Sequence, residues 1–204
     1  MKLHWSPRSP FVRKVMVTAH ELGLAGRLTL VRTLAVMSKP NPQLLPDNPL
    51  SRIPTLILDD GSVLYDSVVV CEYLDALHDG PKLFPPADAA RWTALRRHAL
   101  ADGMLEILVL WRNERDRPDG ARSQPHIDAF RIKINAALDT LEMEADAIAG
   151  AGVDIGHITV GSALSYMDFR FAADDWRPRR PCLAAWHGAF DARPSMRATV
   201  PSLD

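Results

Sequence analysis

Residues 2–33, KLHWSPRSPFVRKVMVTAHELGLAGRLTLVRT, read as strand, helix, strand. Lys2 to Trp5 is short and apolar-rich, and Ser6 to Pro10 breaks it before a helical period begins. Phe11, Val12, Val15, Met16, Ala19 and Leu22 then recur at helical spacing, with Arg13, Lys14 and Glu21 off that stripe, so a helix from Pro10 to Leu22 is expected. Pro10 suits its first turn, where a missing N–H costs nothing, and Gly23 marks its end. Arg27 to Thr33 alternates as a second strand. Downstream, Pro40, Pro42, Pro46 and Pro49 deny Lys39 to Pro49 both helix and ladder hydrogen bonds, leaving an irregular loop. Thr55 to Leu58 and Ser62 to Tyr65 flank Asp59-Asp60-Gly61, a hairpin signal. Asp66 and Ser67 then cap a helix expected from Val68 to His78.

Beyond Asp79 the pattern changes. Residues 79–87 are rich in Gly, Pro and polar side chains, and a linker is placed there between residues 1–78 and a helical region over 88–204. Trp92, Leu95, Ala99, Leu105 and Leu108 mark one long helix, and Ile127 to Ile148 a second that Gly150 and Gly152 end. Ile155 to Phe169 is apolar on nearly every face, which for a helix means burial inside a bundle. Leu183, Trp186 and Phe190 mark a last helix. The fold class expected is therefore mixed α/β followed by all-α.

The whole-chain numbers exclude several functions. With 204 residues, 47% of them hydrophobic and 24% charged, the chain can bury a sizeable core. Twenty-four Lys and Arg against 25 Asp and Glu leave a net charge of -1, so neither nucleic acid nor an anionic membrane is an expected partner. No apolar run approaches the roughly 18 residues that span a bilayer, and no secretion signal is read, so a cytoplasmic location is expected. Cys71 and Cys182, far apart and in no metal-binding spacing, remove disulfide, dithiol and metal readings.

The order of local motifs resembles the cytosolic glutathione transferases, of the serine type found in theta-, beta- and zeta-like bacterial members. Residues Ser6 to Val15 carry the resemblance first, followed by Asn48-Pro49-Leu50-Ser51-Arg52-Ile53-Pro54-Thr55-Leu56, Leu64-Tyr65-Asp66-Ser67 and Cys71-Glu72-Tyr73-Leu74. Tyr166-Met167-Asp168-Phe169-Arg170 and Arg193-Pro194-Ser195-Met196 complete the series. It implies a thioredoxin-like domain holding glutathione, a helical domain lining the pocket for a small hydrophobic electrophile, and a homodimer. Glutathione enters as co-substrate, with no further cofactor and no metal.

The same resemblance assigns Ser9 as the catalytic residue. A free thiol of pKa about 8.5 is only a few per cent thiolate at neutral pH, and a hydroxyl at a helix start can stabilise the anion. Ser6 is the rival hydroxyl, and simple helix capping the bland alternative. In the family the peptide bond before Pro54 is cis and Ile53 offers its backbone to the cysteinyl part of glutathione; an ordinary edge proline is the alternative. Asp66 and Ser67 suit the γ-glutamyl end or merely cap a helix. Arg52 and Lys39 could meet the glycine carboxylate. Asp102 matches a position that reaches the glutamyl ammonium across the dimer, and Trp111 is the tryptophan best placed for the electrophile pocket.

Two departures stand out. Where the family starts its buried helix with Ser or Thr and an Asp three residues later, this chain has Asp154 and His157. Asp154 can cap, but the reciprocal bond from residue 157 is in doubt, and a neutral His157 is expected because a cation is disfavoured at a helix N-terminus. Ser51 also replaces a glycine frequent before the proline segment. Among rival functions, a dithiol reductase would need a cysteine at position 9, and a dinucleotide enzyme a GxGxxG after the first strand. A catalytically silent interaction or regulatory domain remains the alternative.

Overall fold

The computed structural model describes residues 1–203. In chain order it holds β1 (Lys2–Trp5), α1 (Pro10–Glu21), β2 (Thr29–Arg32), β3 (Thr55–Ile57), β4 (Val63–Leu64), α2 (Ser67–Ala76), α3 (Ala89–Arg115) and α4 (Gln124–Met143). Then follow α5 (Ala145–Ala149), α6 (Ile155–Arg170), α7 (Pro181–Asp191) and α8 (Pro194–Arg197). Two compact units result: residues 1–86 together with the segment from Pro194 onward, and residues 87–193.

The first unit is built on a four-stranded mixed sheet of order β2-β1-β3-β4. β1 lies parallel to β2, antiparallel to β3, and β3 antiparallel to β4, with Leu3 opposite both Leu30 and Leu56, and Leu56 opposite Leu64. Leu3 and Leu56 are fully buried, as are Val15 and Ala19 of α1 and Val70, Cys71 and Leu74 of α2. This is the thioredoxin-like arrangement, strands and crossover helix sharing one apolar core. β2 is shorter than its alternation suggested. Residues 25–27 instead form a 3-10 turn in which Leu28 N–H donates to the Ala25 carbonyl at 3.2 Å, so Arg27 lies outside the ladder.

Residues 79–86 are fastened to this unit. The buried Asp75 carboxylate of α2 accepts the backbone N–H groups of Leu83 and Phe84 at 2.8 and 3.1 Å, and both apolar side chains are buried. Residues 194–203 join the same unit. Arg13 donates to the Met196 carbonyl at 3.3 Å, Ser195 donates to Glu21, Arg8 donates to the Leu203 carbonyl, and Met196 is fully buried.

In the second unit α3 and α6 run side by side in the same direction. His98 Nδ1 meets Thr159 Oγ1 at 2.7 Å near one end, and Arg115 donates to the Arg170 carbonyl at 2.8 Å at the other. Every residue from Ile155 to Met167 is buried, as the all-round apolar pattern of α6 required. Gly156 permits the contact: a Cβ there would stand 2.9 Å from the Ala94 carbonyl oxygen and 2.9 Å from Arg97 Cβ. The single helix expected over Ile127 to Ile148 is in fact α4 and α5, broken at Glu144 (φ -96, ψ -2). The Glu144 carboxylate is held by Arg96 at 2.7 Å and Arg97 at 3.0 Å. The Arg96 hydrogen bond keeps that carboxyl below its ordinary pKa against the opposing effect of burial.

The α6 N-terminus corrects one expectation, because the reciprocal capping box is present. Asp154 Oδ1 accepts the His157 N–H at 3.1 Å, and His157 Nδ1 stands 3.3 Å from the Asp154 N–H and 2.7 Å from its carboxylate. Nε2 faces the Ile148 carbonyl at 3.0 Å. A neutral ring closes the box by accepting the Asp154 N–H through its Nδ1 lone pair, in place of the missing acid, whereas a protonated ring has no lone pair there and donates to the carboxylate instead. Burial pushes the Asp154 carboxyl up, but the His157 hydrogen bond and charge outweigh it and leave its pKa lowered. A depressed carboxyl contributes stability above its unfolded value of about 4, and loses it as pH falls through the folded one. Asp154→Ala should therefore cost about 0.5 to 2 kcal/mol at neutral pH. Urea unfolding should show the deficit shrinking in acid, and a neutral-pH midpoint equal to wild type would remove the cap from the account.

Candidate functional site

Sheet topology brings three chain segments to one edge of the first unit. β1 ends at Trp5 and leads through Ser6 to Ser9 into α1. β3 runs the opposite way, with His4 opposite Thr55, so its start and the preceding Ile53-Pro54 lie at the end of β1. β4 reverses again, with Leu64 opposite Leu56, and delivers Tyr65, Asp66 and the start of α2 to the same edge. Two helix N-termini, each with unfilled N–H groups and the positive end of a helix dipole, thus flank the residue before Pro54.

Ser9 is the N-cap of α1, its Oγ accepting the Val12 N–H at 3.3 Å. Acceptance uses a lone pair and leaves the hydroxyl proton to donate elsewhere. Ser6 is buried and its Oγ receives the Arg8 N–H at 3.4 Å, whereas Ser9 is only part-buried. Ser6 and Ser9 both line a cavity of about 220 Å³, with Trp5, Pro7, Thr199 and Val200. Asp66 caps α2 by accepting the Val68 N–H at 3.1 Å, and Ser67, the first residue of that helix, is buried.

The Ile53–Pro54 peptide bond is cis, and so is Tyr65–Asp66. The loop before Pro54 is tied by the buried Asn48, whose Nδ2 donates to Thr55 Oγ1 at 2.9 Å and to the Arg52 carbonyl at 3.1 Å. Ser51 takes φ +51, the left-handed conformation that explains a glycine preference there, and its Oγ accepts the Asn41 N–H at 2.8 Å. The side chains of Arg52 and Lys39 are exposed. Ser9, Ile53, Pro54, Asp66, Ser67 and Arg52 are therefore all held within the first unit.

Asp102 and Trp111 belong to α3 of the second unit, Asp102 half-buried and Trp111 buried against Phe171, ring centroids 4.8 Å apart. Near the C-terminal ends of α3 and α6 stands a group that sequence reading passed over: Arg112, Arg115, Tyr166 and Arg170. Tyr166 and Arg170 sit four apart on one face of α6, and Tyr166-Met167-Asp168-Phe169-Arg170 served above only as a family marker. Among the described residues, no group of three His, Cys, Asp or Glu side chains could hold a metal ion.

The comparisons with known proteins agree with this layout. Residues 8–77 match the glutathione S-transferase N-terminal domain, and residues 124–189 the glutathione S-transferase C-terminal domain. A glutathione transferase family member from Pseudomonas fluorescens Pf-5, solved with bound glutathione, is 44% identical, covers 99% of both chains and superposes with a TM-score of 0.96. A structure from the same organism with S-(propanoic acid)-glutathione is 42% identical, with a TM-score of 0.92 over 98% of this chain and 99% of that one. The uncharacterised GST-like protein YibF of Escherichia coli (strain K12) is 28% identical over 98% of each chain. Matches in both units, in the same order and over nearly the full length, place this chain in the glutathione S-transferase family.

Proposed function

We propose that the chain binds glutathione at the edge where β1, β3 and β4 deliver Ser9, Ile53 and Ser67, and transfers its thiolate to a small electrophile. The observation that carries this reading is the convergence of two capped helix N-termini on the segment before Pro54. Such an edge presents N–H donors and positive dipole ends to a tripeptide bearing a thiolate and carboxylates. Ser9 donates a hydrogen bond from its hydroxyl to the thiolate sulfur, Ile53 pairs with the cysteinyl backbone, and Asp66 and Ser67 hold the γ-glutamyl end. Arg52 meets the glycine carboxylate, and Asp102 is assigned to the glutamyl ammonium across a homodimer in the cytoplasm. In the reaction the sulfur forms a bond to the electrophilic carbon. Either a leaving group departs with its electron pair, or a conjugated double bond opens and takes a proton from water. The relatives with bound glutathione and a glutathione S-conjugate support this reading.

Retention on immobilised glutathione, followed by conjugation assays with halides, epoxides and unsaturated carbonyls, tests it. Retention without turnover of any of them would favour a silent binding domain. Asp66→Ala and Ser67→Ala should each weaken glutathione binding by about 1 to 3 kcal/mol, because they hold a charged end remote from the sulfur. Calorimetry showing unchanged affinity in both would reduce the pair to a helix cap.

A further inference from the structure

The second unit carries a concentration of hydrogen-bond donors that the glutathione assignments leave unused. The Tyr166 hydroxyl is buried, in a residue 1% exposed, and no described group accepts its proton in hydrogen-bond geometry. The guanidinium groups of Arg112 and Arg170 face its oxygen, acting on it as charges and as hydrogen-bond donors. Burial nevertheless leaves the phenol pKa raised, so at neutral pH the hydroxyl keeps its proton and can donate. Arg112 and Arg170 are part-buried. Arg112 Nε has no hydrogen-bond partner and reaches the Asp116 carboxylate only at 4.0 Å. Aromatic faces orient the arms: Arg170 lies 4.2 Å over Phe169, and Arg115 4.8 Å over Phe171, which in turn packs on Trp111. Arg115 also pairs with Asp116 at 3.3 Å, so one exposed carboxylate serves two of the three guanidinium groups.

A buried hydroxyl whose proton has no acceptor is costly unless a ligand supplies one, and a carboxylate can take several donors at once. We infer that Arg112, Tyr166 and Arg170 form a receptor for an anionic group, and that the electrophile this protein conjugates bears a carboxylate. The second half rests on the transferase reading; the anion site does not. The carboxylate lies between the two guanidinium groups, with the Tyr166 hydroxyl as third donor and the Trp111–Phe171 pair as an apolar wall.

Two matched pairs test it on the full-length protein. The first is a fluorescence titration with 8-anilinonaphthalene-1-sulfonate against N-phenyl-1-naphthylamine, which differ by the acid group alone. The second is conjugation of glutathione with 4-chloro-3-nitrobenzoate against 4-chloro-3-nitrobenzamide. In that reaction the S–C bond forms at the ring carbon, chloride leaves with the C–Cl electron pair, and the thiol proton passes to solvent. Wild type should favour the acid of each pair about tenfold or more. The ratio should fall toward one in Arg112→Gln, and in Tyr166→Phe, which removes one oxygen and keeps the fold testable if Arg112→Gln is unstable. Equal binding of both dyes by the wild type, or a preference untouched in both variants, overturns the anion site. Acid-selective dye binding without glutathione retention would keep that site and remove the transferase reading. Glutathione retention with benzamide turned over as well as benzoate would keep the transferase and remove the acidic electrophile.

Discussion

Ser9→Ala is expected to cut the conjugation rate at neutral pH about ten- to a hundredfold while leaving most glutathione affinity in place. A charge-assisted hydrogen bond from the hydroxyl favours thiolate by about 1.5 to 3 kcal/mol, equivalent to one to two pKa units. The pH midpoint of the rate should therefore move up by about that much, and the loss should fade in alkaline buffer, where the thiol ionises without help. Alanine also removes the acceptor of the Val12 N–H, a cap worth about 0.5 to 2 kcal/mol, but that loss appears as lower stability and leaves the pH profile alone. Ser9→Thr, which keeps a hydroxyl, should retain the low midpoint. An unchanged profile in Ser9→Ala with a crippled Ser6→Ala would pass the role to Ser6.

The largest effect on stability is expected at Asp75. Its buried carboxylate satisfies two backbone N–H groups, those of Leu83 and Phe84, in a segment with no ladder to supply other acceptors. Asp75→Ala leaves both unmet at a cost of about 2 to 5 kcal/mol. Asp75→Asn keeps one acceptor and turns an N–H donor on the other, so it should fall between the two. Urea midpoints in the order wild type, Asn, Ala are the expected result. Equal midpoints for all three would mean that water reaches those N–H groups.

Much of the fold was legible because its signals are local. The stripe from Phe11 to Leu22 gave α1, Asp59-Asp60-Gly61 gave the hairpin, and the unbroken apolar run from Ile155 gave the buried α6. What escaped depends on distant partners. Nothing near Glu144 breaks a helix, and the side chains that hold it, Arg96 and Arg97, come from α3. At His157, an argument from charge overlooked that imidazole can accept through a lone pair. The same division holds for the candidate site. Ser9, Pro54, Asp66 and Ser67 sit in short motifs beside the turns that aim them. Arg112 and Tyr166 lie 54 positions apart in the chain, and only the packing of α3 on α6 makes them neighbours.

The membership of Pro194 to Leu203 in the first unit sets an order of assembly. A ribosome releases β1 to β4 and their two helices early, but Met196, the fully buried contributor from α8, is made only after the whole of the helical unit. Folding during synthesis can complete the helical unit while the sheet unit still lacks a piece. An isolated N-terminal half, ending at Pro86, would have no acceptor at the Met196 carbonyl for Arg13 and no Ser195 for Glu21. It would also lose Thr199 and Val200 from the cavity that Ser9 lines. Ser9 acquires its finished surroundings only when residues 194–203 arrive, so cutting the chain after Arg193 reaches back to the first helix of the sheet unit.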